Sequence, residues 1–482
     1  MRLLHLLQRL VISFMNTKIS FITLGCKLNY AETSTYERRL LESGVPLEVT
    51  PWSKGADIFL VNTCSVTEHS DKKCRNIIRK LHRVSPDAAI FVTGCYAELK
   101  RGEIEALEGV CAVYGAKEKN GVVPGILKYV SECSGGESLK GNPCKNAENA
   151  ANGEKAIVDM PGGKDEGHVL GAYSDCNYLG AYSTGERTRS FLKVQDGCDF
   201  KCNYCTVPYA RGESRNEPIA DIVLKAEEIA ATGCREIVIT GVNTGDFGKS
   251  TGENFFDLIM ALNDVEDIER YRISSIEPNL LTEPMIGWIV SGTKFLPHFH
   301  IPLQSGSDTV LREMGRRYDT ETFARKIEYI RKAFVDRKVF FGIDVIVGFP
   351  GETDELFEQT YNFLKDRIRP AFIHIFPYSR RAGTPAAVRK DQVQDSVKTE
   401  RVARLEELCR ELHREFVSGC LGDSAQVLFE GADKNGKMCG YTENYIKVWE
   451  DYDPQLIGRT STVVLTAENT RSLSHIYKKD II

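Results

Sequence analysis

From Ser190 onward the chain repeats one pattern, in which a short apolar segment ends in polar or glycine residues and an amphipathic stretch follows. The apolar segments are SFLKVQ, EIVITG, RYRISSIE, HFHIPLQS, FGIDVIVGF and FIHIFPYS. In the intervening stretches, such as TETFARKIEYIRKAF, apolar residues recur three and four positions apart, as on one face of a helix. This alternation predicts a parallel sheet with right-handed crossovers, and its six units suit a partial (β/α)6 barrel better than a full barrel.

The polar residues at the ends of these predicted strands form a candidate site, because chemistry in such folds collects at the carboxyl ends of strands. The first strand is followed by QDGCDFKCNYC. The later strands bring Thr240, Gly241, Asn243, Ser275, Glu277, Gln304, Ser305 and the run GFPGET, with Asp344 inside the fifth strand. A glycine after a strand is most often only a turn. The ordered series behind the cysteine run nevertheless predicts one shared site.

The cysteine run holds Cys198, Cys202 and Cys205. Thiolates at this spacing can ligate three irons of a [4Fe-4S] cluster and leave one iron open for a small molecule. A structural zinc site would need a fourth ligand, yet the next cysteine or histidine downstream is Cys234. The run resembles the signature of the radical S-adenosylmethionine (SAM) enzymes, Cys-x3-Cys-x-aromatic-Cys, with Tyr204 as the aromatic residue.

Three further cysteines each end an apolar segment of the N-terminal region. Cys26 ends KISFITLGC, Cys64 ends ADIFLVNTC and Cys95 ends AAIFVTGC. The carboxyl ends of parallel strands share one edge of a sheet, so these thiols are able to converge in a crevice. Taken singly, each resembles an ordinary buried cysteine. Together they predict a second cluster with an open iron, whereas Cys74 and Cys111 are assigned no ligand role.

Composition indicates the cellular compartment of this chain, which has 482 residues and 15 cysteines. Tight cysteine clusters without a well-formed signal peptide predict a reducing cytoplasm and no membrane association. The segment MRLLHLLQRLVISF is too short to span a bilayer and is interpreted as an extension before a start at Met15, or as a helix. A net charge of −5 argues against indiscriminate nucleic-acid binding. The basic runs 70–83 and 312–338 are interpreted as solvated helix faces unless a phosphate-bearing substrate is implied.

Shifts in composition divide the chain into five parts. We predict an extension over 1–17, an open parallel α/β domain over 18–128, a flexible linker over 129–187, the strand–helix domain over 188–418 and an all-β domain over 419–482. The linker is rich in Gly, Asn, Glu, Ser and Lys, and its Cys133, Cys144 and Cys176 are assigned no role. The short segments AQVLFEG, NYIKVWE and TSTVVLTAE indicate a small antiparallel barrel.

The runs TLGCKLNYAE, NTCSVTEHSDKKCRNIIRK, VTGCYAE, VQDGCDFKCNYCTVPYARG, HIPLQSGSDTVL and FPYSRRAGTPA together resemble the methylthiotransferases. These two-cluster radical SAM enzymes replace a C–H bond by C–S–CH3. The resemblance implies two [4Fe-4S] clusters, one on Cys198, Cys202 and Cys205 that binds SAM and one on Cys26, Cys64 and Cys95 that supplies sulfur. It also implies an external electron donor and a second SAM molecule that gives the methyl group.

The same resemblance assigns provisional roles to other residues. Those expected near SAM are Tyr204, Thr240, Gly241, Asn243, Ser275, Gln304 and Asp344. The last domain resembles the OB-like TRAM module, an RNA-binding barrel. Its aromatic and basic residues would either stack on RNA or form its core, and the sequence leaves both readings open; they are Tyr441, Tyr445, Lys447 and Trp449. No catalytic residue is assigned beyond the cluster ligands.

Three branches of the family differ in substrate: threonylcarbamoyl-adenosine at tRNA position 37, isopentenyl-adenosine at that position, and an aspartate of a ribosomal protein. The runs CDFKCNYCTVPYARG and HIFPYSRRAGTPAA resemble the first branch. Arg380 and Arg381 would suit a phosphate or the threonyl carboxylate, which the isopentenyl group lacks. We therefore predict a tRNA methylthiotransferase that acts at C2 of threonylcarbamoyl-adenosine 37, with the other two substrates as alternatives. We also predict a monomer. A non-catalytic iron–sulfur RNA-binding protein and a radical SAM enzyme without sulfur transfer remain alternatives.

Overall fold

The computed structural model describes residues 16–134, 178–184, 188–432 and 436–470. The predictions for residues 1–15, and for most of the linker with Cys144 and Cys176, lie outside these ranges. Contacts group the chain into two compact units. Of the described residues, those up to Leu24, those of Tyr36–Cys64 and those between Asp71 and Leu179 belong to the first unit. Those of Gly25–Thr35, those of Ser65–Ser70 and those from Gly180 onward belong to the second. None of the described helices combines the length and apolarity needed to cross a membrane.

The first unit is built on a five-stranded, fully parallel sheet with the strand order β2-β1-β3-β4-β5. Its strands are β1 (Thr17–Thr23), β2 (Leu47–Val49), β3 (Ile58–Thr63), β4 (Ala89–Gly94) and β5 (Val110–Tyr114). Every residue of β3 and β4 is buried, as expected for central strands covered on both faces. The predicted parallel α/β sheet is confirmed.

Five helices accompany this sheet along the chain. They are α1 (Lys27–Leu41), α2 (Glu68–Val84), α3 (Cys95–Leu99), α4 (Arg101–Glu105) and α5 (Val122–Ser134). In α2 the buried residues Asp71, Cys74, Ile78 and Leu81 recur at helical spacing, so the lysines and arginines between them face outward. The helices α1 and α2 begin in segments that group with the second unit and end in the first.

The second unit contains a seven-stranded sheet in sequence order from β12 to β6. Six strands are parallel and correspond to the six apolar segments of the sequence: β7 (Arg189–Lys193), β8 (Glu236–Thr240), β9 (Arg270–Ile273), β10 (Phe295–Gln304), β11 (Phe340–Val347) and β12 (Phe372–Pro377). The short strand β6 (Ala181–Tyr182) adds to the β7 edge in antiparallel orientation.

The helices of the second unit cover this sheet with an apolar face. They are α6 (Val207–Arg211), α7 (Ile219–Ala231), α8 (Phe255–Asn263), α9 (Glu283–Val290), α10 (Asp308–Glu313), α11 (Thr320–Ala333), α12 (Asp354–Asn362) and α13 (Asp395–Ser418). Several begin at a side-chain cap; the Asp319 carboxylate, for example, accepts a hydrogen bond from the Thr322 amide at 2.7 Å. A six-residue π-helix, Phe363–Ile368, continues α12.

After α13 a four-stranded antiparallel sheet has the order β15-β14-β13-β16. Its strands are β13 (Ser424–Ala432), β14 (Lys437–Thr442), β15 (Lys447–Asp451) and β16 (Thr460–Val464). A small core of Val427, Phe429, Met438, Ile446 and Val448 lies beneath it. The predicted all-β character of this region is confirmed.

Both ends of the predicted linker 129–187 carry regular structure, which corrects that prediction. At one end α5 continues to Ser134, because Val122, Ile126 and Val130 repeat every four residues and keep one apolar face buried. At the other end Ala181 and Tyr182 are buried in β6. The composition of the segment as a whole concealed these short apolar periodicities.

Candidate iron–sulfur and SAM site

The cysteine loop follows β7 and is held by its own backbone. The Cys198 amide donates to the Gly212 carbonyl at 3.0 Å, and the Cys205 amide donates to the Cys202 carbonyl at 3.1 Å. Two further amides point at sulfur: Phe200 N donates to Cys198 Sγ and Val207 N to Cys205 Sγ, both at 3.4 Å. Amide donors directed at sulfur are typical of iron–sulfur ligands, because they stabilise the thiolate form.

Burial raises the pKa of the Cys198 thiol to about 11 and that of the Cys205 thiol to about 12. At these pKa values the two thiols keep their protons at neutral pH unless a metal ion displaces them. Iron binding replaces those protons with positive charge, so a thiolate-bound cluster suits surroundings that a bare thiolate does not. The three half-buried sulfurs therefore fit a [4Fe-4S] cluster held by three protein ligands.

Arg316 is a component of this site that sequence reasoning missed. Its guanidinium donates to Cys202 Sγ at 3.3 Å and forms an ion pair with the Glu277 carboxylate. Burial raises the pKa of Glu277, and the Arg316 charge opposes that rise. Arg316 lies within the basic run 312–338, where the composition suggested a solvated helix face. Its buried acidic partner was the available signal, since Glu277 ends a predicted strand.

Two glycines are required by the cysteine loops. Gly197, with a φ of 74°, directly precedes Cys198, and a Cβ there would overlap the Glu213 carbonyl. Gly94, with a φ of 103°, directly precedes Cys95, and a Cβ there would overlap the Thr63 carbonyl. Only glycine combines this left-handed backbone with such close approach. The Gly-Cys dipeptides are therefore structural requirements of both loops.

Gln195 joins the cysteine loop to the next strand end. Its amide oxygen accepts from the Val242 and Asn243 amides at 3.0 Å each, and its nitrogen donates to the Gly197 carbonyl at 2.8 Å. The side chain of Asn243 is buried, and both of its polar atoms lack a partner among the described residues. Because buried amides are normally satisfied, Asn243 is suited to hydrogen-bond a bound polar molecule.

The other residues predicted near SAM lie at their expected strand ends. Ser275 and Gln304 have φ values of 27° and 70°, a conformation that costs a non-glycine residue roughly 1–2 kcal/mol. Such strain concentrates at functional sites. Thr240 instead donates its hydroxyl to the Val238 carbonyl at 3.1 Å, and Gly241 packs against Gln195. Tyr204 packs against an apolar cluster that includes Met314 and Phe349.

Asp344 belongs to a polar cluster on three adjacent parallel strands. His300 Nε2 lies 2.6 Å from Asp344 Oδ1, and His300 Nδ1 lies 3.3 Å from the Ser275 hydroxyl. The rings of His300 and His374 are 4.8 Å apart. One donor atom from each of His300, Asp344 and His374 falls within 4.8 Å of the others, a spacing that a divalent cation could use.

Lys27 places positive charge beside this cluster. Burial lowers the pKa of His374 to about 3, with His300 and Lys27 also lowering it. The Lys27 side chain has access to solvent but lies among many protein atoms, and this burial lowers its pKa. Arg189 and Arg272 add further positive charge near Lys27. A neutral imidazole can ligate a cation or hydrogen-bond a polar molecule, so the chemistry of the cluster suits either.

The N-terminal cysteines lie at the predicted strand ends. Cys64 directly follows β3 and is buried, and Cys95 directly follows β4 and begins α3. The last residues of these strands, Thr63 and Gly94, are register partners, so Cys64 and Cys95 follow neighbouring positions of the sheet. Cys26 is exposed and follows β1 by three residues.

Cys74 keeps the structural role that its surroundings indicate. Its thiol donates to the Cys64 carbonyl at 3.5 Å, and burial raises its pKa to about 11. Buried thiols with raised pKa values are unreactive.

Arg380 and Arg381 do not present two exposed guanidinium groups side by side, which corrects that part of the interpretation. Arg380 is exposed. Arg381 is buried and donates to the Ser65 hydroxyl at 2.6 Å. Of the two side chains, only that of Arg380 faces solvent.

The C-terminal aromatics resolve into two groups. The rings of Tyr441 and Tyr445 stack at 4.8 Å and receive the Arg189 and Arg272 guanidinium groups at 4.6 and 4.8 Å respectively. These two tyrosines are thus occupied by contacts to the large sheet and do not form an open stacking platform. Lys447 and Trp449 contact each other, with the ammonium 4.5 Å from the ring centroid, and both remain partly exposed.

Comparison with known proteins agrees with this geometry. Residues 192–364 match the radical SAM superfamily, and residues 18–115 match a family described as uncharacterized protein family UPF0004. The fold resembles that of the radical S-adenosylmethionine methyltransferase TsrM from Kitasatospora setae, with a TM-score of 0.50 and 15% identity over 78% of this chain and 77% of that one. At that identity the likeness concerns the fold alone.

Relatives of known activity match nearly the whole chain. The threonylcarbamoyladenosine tRNA methylthiotransferase MtaB of Bacillus subtilis is 37% identical over 92% of both chains. MtaB of Aquifex aeolicus is 33% identical over 89% of this chain and 96% of its own. A tRNA-2-methylthio-N(6)-dimethylallyladenosine synthase from Opitutus terrae is 30% identical over 95% of this chain and 96% of its own. The chain therefore belongs to the radical SAM methylthiotransferase family, among its MtaB-type members.

Proposed function

We propose that this protein adds a methylthio group to C2 of N6-threonylcarbamoyladenosine at position 37 of tRNA. The observation that carries the proposal is the match to a Bacillus subtilis protein of that activity across 92% of both chains. The cysteine loop after β7 supports the radical chemistry, since its three sulfurs, amide donors and Arg316 suit an open cluster.

Cys198, Cys202 and Cys205 would hold the cluster whose open iron takes SAM. When bound and reduced, such a cluster would supply the electron for reductive cleavage of SAM. The buried, unpartnered amide of Asn243 and the strained ends of β9 and β10 at Ser275 and Gln304 are suited to orient the cofactor. The same pocket would be shaped by the packing of Tyr204, Thr240 and Gly241. Asp344, hydrogen-bonded to His300, would add a polar group to it.

A second [4Fe-4S] cluster on Cys26, Cys64 and Cys95 would supply the sulfur. Each of these cysteines follows a strand of one parallel sheet, and β3 and β4 end in register. Required glycines precede both Cys95 and Cys198, which suggests that the two loops are built alike. We assign this sulfur-donating domain to residues 18–128 and the radical SAM domain, a partial (β/α)6 barrel, to residues 188–418.

Binding of tRNA would use exposed positive charge. Exposed cations line one face of α2, namely Lys72, Arg79, Lys80 and Arg83, and Arg380 is exposed beyond β12. A TRAM-like domain over 419–482 would contribute Lys447 and Trp449. Such backbone contacts carry no sequence information, so selectivity falls to the modified base. An external electron donor, a monomeric state and a cytoplasmic location complete the proposal.

A test offers the reconstituted enzyme, under anaerobic conditions, tRNA bearing either threonylcarbamoyl-adenosine or isopentenyl-adenosine, followed by nucleoside mass spectrometry. We expect a methylthio product from the first substrate. Preference for the second would assign the protein to the dimethylallyladenosine branch, to which the Opitutus terrae relative belongs. Inactivity on both, with intact SAM cleavage, would favour the ribosomal-protein aspartate as substrate.

Two controls link the methylthio product to this protein and to its cysteine loop. The Cys202→Ala variant should lose both SAM cleavage and product, because the open iron is the proposed electron path. In cells lacking this gene, tRNA should accumulate the unmethylthiolated threonylcarbamoyl nucleoside. A normal methylthio nucleoside in that strain would contradict the proposal.

A further inference from the structure

A fully buried group of charged residues connects the first turns of α1 with the cysteine loop. Lys193 Nζ lies 2.9 Å from Glu32 Oε1 and 2.7 Å from Asp196 Oδ2. Arg211 Nη1 lies 3.2 Å from Glu32 Oε1 and 2.8 Å from Asp196 Oδ1. None of the four side chains is more than 3% exposed. With Asn29 they are called here the Glu32 network.

The network ends at a cluster cysteine on each side. On one side Asp196 Oδ1 accepts from the Gly197 amide at 2.9 Å, and Cys198 follows Gly197. On the other side Asn29 Oδ1 accepts from Arg211 Nη2 at 2.7 Å and from Cys26 Sγ at 3.7 Å. A chain of polar contacts thus runs from Asn29 through Arg211 to the loop that holds Cys198. The Cys26 contact needs the thiol proton, which iron binding would remove. Cys26 is joined to Asn29 in addition by the backbone of the first turn of α1, where the Tyr30 amide donates to the Cys26 carbonyl at 3.1 Å.

Stability alone is a weak reason to retain such a group. Removing two cations and two anions from water costs several kcal/mol per ion, and well-packed apolar residues often stabilise as much. What ion pairs provide in addition is direction, because each hydrogen bond constrains both distance and angle. Arg211 is the central member, since its planar guanidinium contacts Glu32, Asp196 and Asn29 at once.

We propose that the Glu32 network is a positioning device that sets the distance between Cys26 and the SAM cluster loop. This inference rests on the proposed function, in which Cys26 ligates the sulfur-donating cluster. Sulfur must reach the substrate carbon from which the adenosyl radical takes a hydrogen atom, so the separation of the two clusters limits transfer but does not limit SAM cleavage. The residues of the Glu32 network are buried, so we assign them a positioning role.

Hydrogen exchange of the full-length chain tests the structural half of this inference. In Glu32→Gln, Lys193 and Arg211 lose an anionic partner, so amides of residues 25–35 should exchange at least about tenfold faster. The control is Arg401→Met, which breaks an equally buried ion pair with Glu352 (2.7 Å) elsewhere in the same unit. The control should leave exchange in residues 25–35 unchanged. Equal exchange in wild type and Glu32→Gln would overturn the inference.

The functional part of the inference is tested with the cluster-loaded enzyme. In Glu32→Gln the ratio of methylthio product to 5′-deoxyadenosine should fall about tenfold, while SAM cleavage without tRNA stays within about twofold. The electron spin relaxation of the reduced SAM cluster, which depends on the distance to the second cluster, should change as well. Faster exchange with an unchanged ratio and unchanged relaxation would show that the network is only structural.

Failure of this inference and failure of the proposed function would give different results. A wild-type enzyme that cleaves SAM but transfers no sulfur to any tRNA would refute the function, while exchange and spin relaxation would still decide the inference. If Glu32→Gln does not fold, the double variant Glu32→Gln/Lys193→Met removes one charge of each sign and keeps the balance. We expect that variant to fold and still to exchange faster in residues 25–35. Wild-type exchange there would overturn the inference.

Discussion

At the scale of single residues, Arg316 is the most informative side chain of the site. Its hydrogen bond to Cys202 Sγ stabilises the more negative, reduced state of a bound cluster. Replacing Arg316 by Met should therefore lower the midpoint potential by on the order of 60 mV, which for one electron corresponds to about 1.4 kcal/mol. A redox titration followed by electron paramagnetic resonance measures this shift.

The neighbouring Arg317 provides the matched control. Its guanidinium lies 4.1 Å from the Phe200 ring centroid. Arg317→Met should leave the potential within the error of the titration. Equal shifts in both variants would mean that general charge, and not the sulfur contact, determines the potential.

His374 predicts a pH dependence of stability. Its pKa is about 3 in the folded protein, chiefly because of burial, against 6.5 when unperturbed. The unfolded chain takes up a proton below about pH 6.5 and the folded chain does not, so stability is lost as the pH falls. Between pH 7 and pH 5 the loss is about 2 kcal/mol for this group.

The measurement compares urea unfolding of the wild type with that of His374→Phe at both pH values. The variant should lose less stability on acidification by about that amount. Asp344 titrates outside this window because His300 holds its pKa below the ordinary value despite burial. Identical pH profiles would show that His374 has the same pKa in the folded and the unfolded chain.

At the scale of elements, the C-terminal sheet is anchored by Arg272. Its guanidinium pairs with Glu236 at 2.9 Å and donates to the Thr442 and Glu443 carbonyls at 2.8 and 2.9 Å. Arg272→Met leaves Glu236 buried with fewer partners and should cost about 3–5 kcal/mol. Limited proteolysis should then cut between α13 and β13 sooner than in the wild type.

A surface arginine gives the comparison for this change. Arg235 forms ion pairs with Asp267 and Glu269 that are largely exposed. Arg235→Met should cost less than about 1 kcal/mol. If the C-terminal sheet of Arg272→Met resists proteolysis as well as that of the wild type, contacts other than those of Arg272 suffice to hold the sheet in place.

The helix α2 predicts where tRNA is held. Its outward face carries Lys72, Arg79 and Arg83, whereas in α11 Arg325 pairs with Glu321 at 3.9 Å. Changing the three α2 residues to Ala should weaken tRNA binding and lower the salt slope by about one unit per lost phosphate contact. Arg325→Ala should leave the slope unchanged. An unaltered slope in the α2 variant would exclude this face as a tRNA contact.

At the scale of the whole molecule, the proposal predicts about eight iron atoms per chain after anaerobic reconstitution. Changing Cys26, Cys64 and Cys95 together to Ala should remove about half of the iron and all methylthio product, yet leave SAM cleavage intact. Iron analysis and 5′-deoxyadenosine release measure both. Full iron content in the triple variant would contradict the second cluster.

The sequence by itself determined the elements and their order. The six apolar segments became the six parallel strands, because period and composition act locally. The cysteine run after β7 could also be recognised from the sequence alone, because its three thiols lie within a few residues of one another. The Gly-Cys steps at Gly94 and Gly197 are likewise local requirements of the backbone.

Only the tertiary structure decided which side chains meet. Arg316 looked like part of a solvated basic run until its contact with Cys202 appeared, and Tyr441 and Tyr445 looked equally like RNA ligands and core residues. The Glu32 network joins residues more than 150 positions apart. Burial and ion pairing depend on distances between remote segments, so no local pattern of sequence carries them.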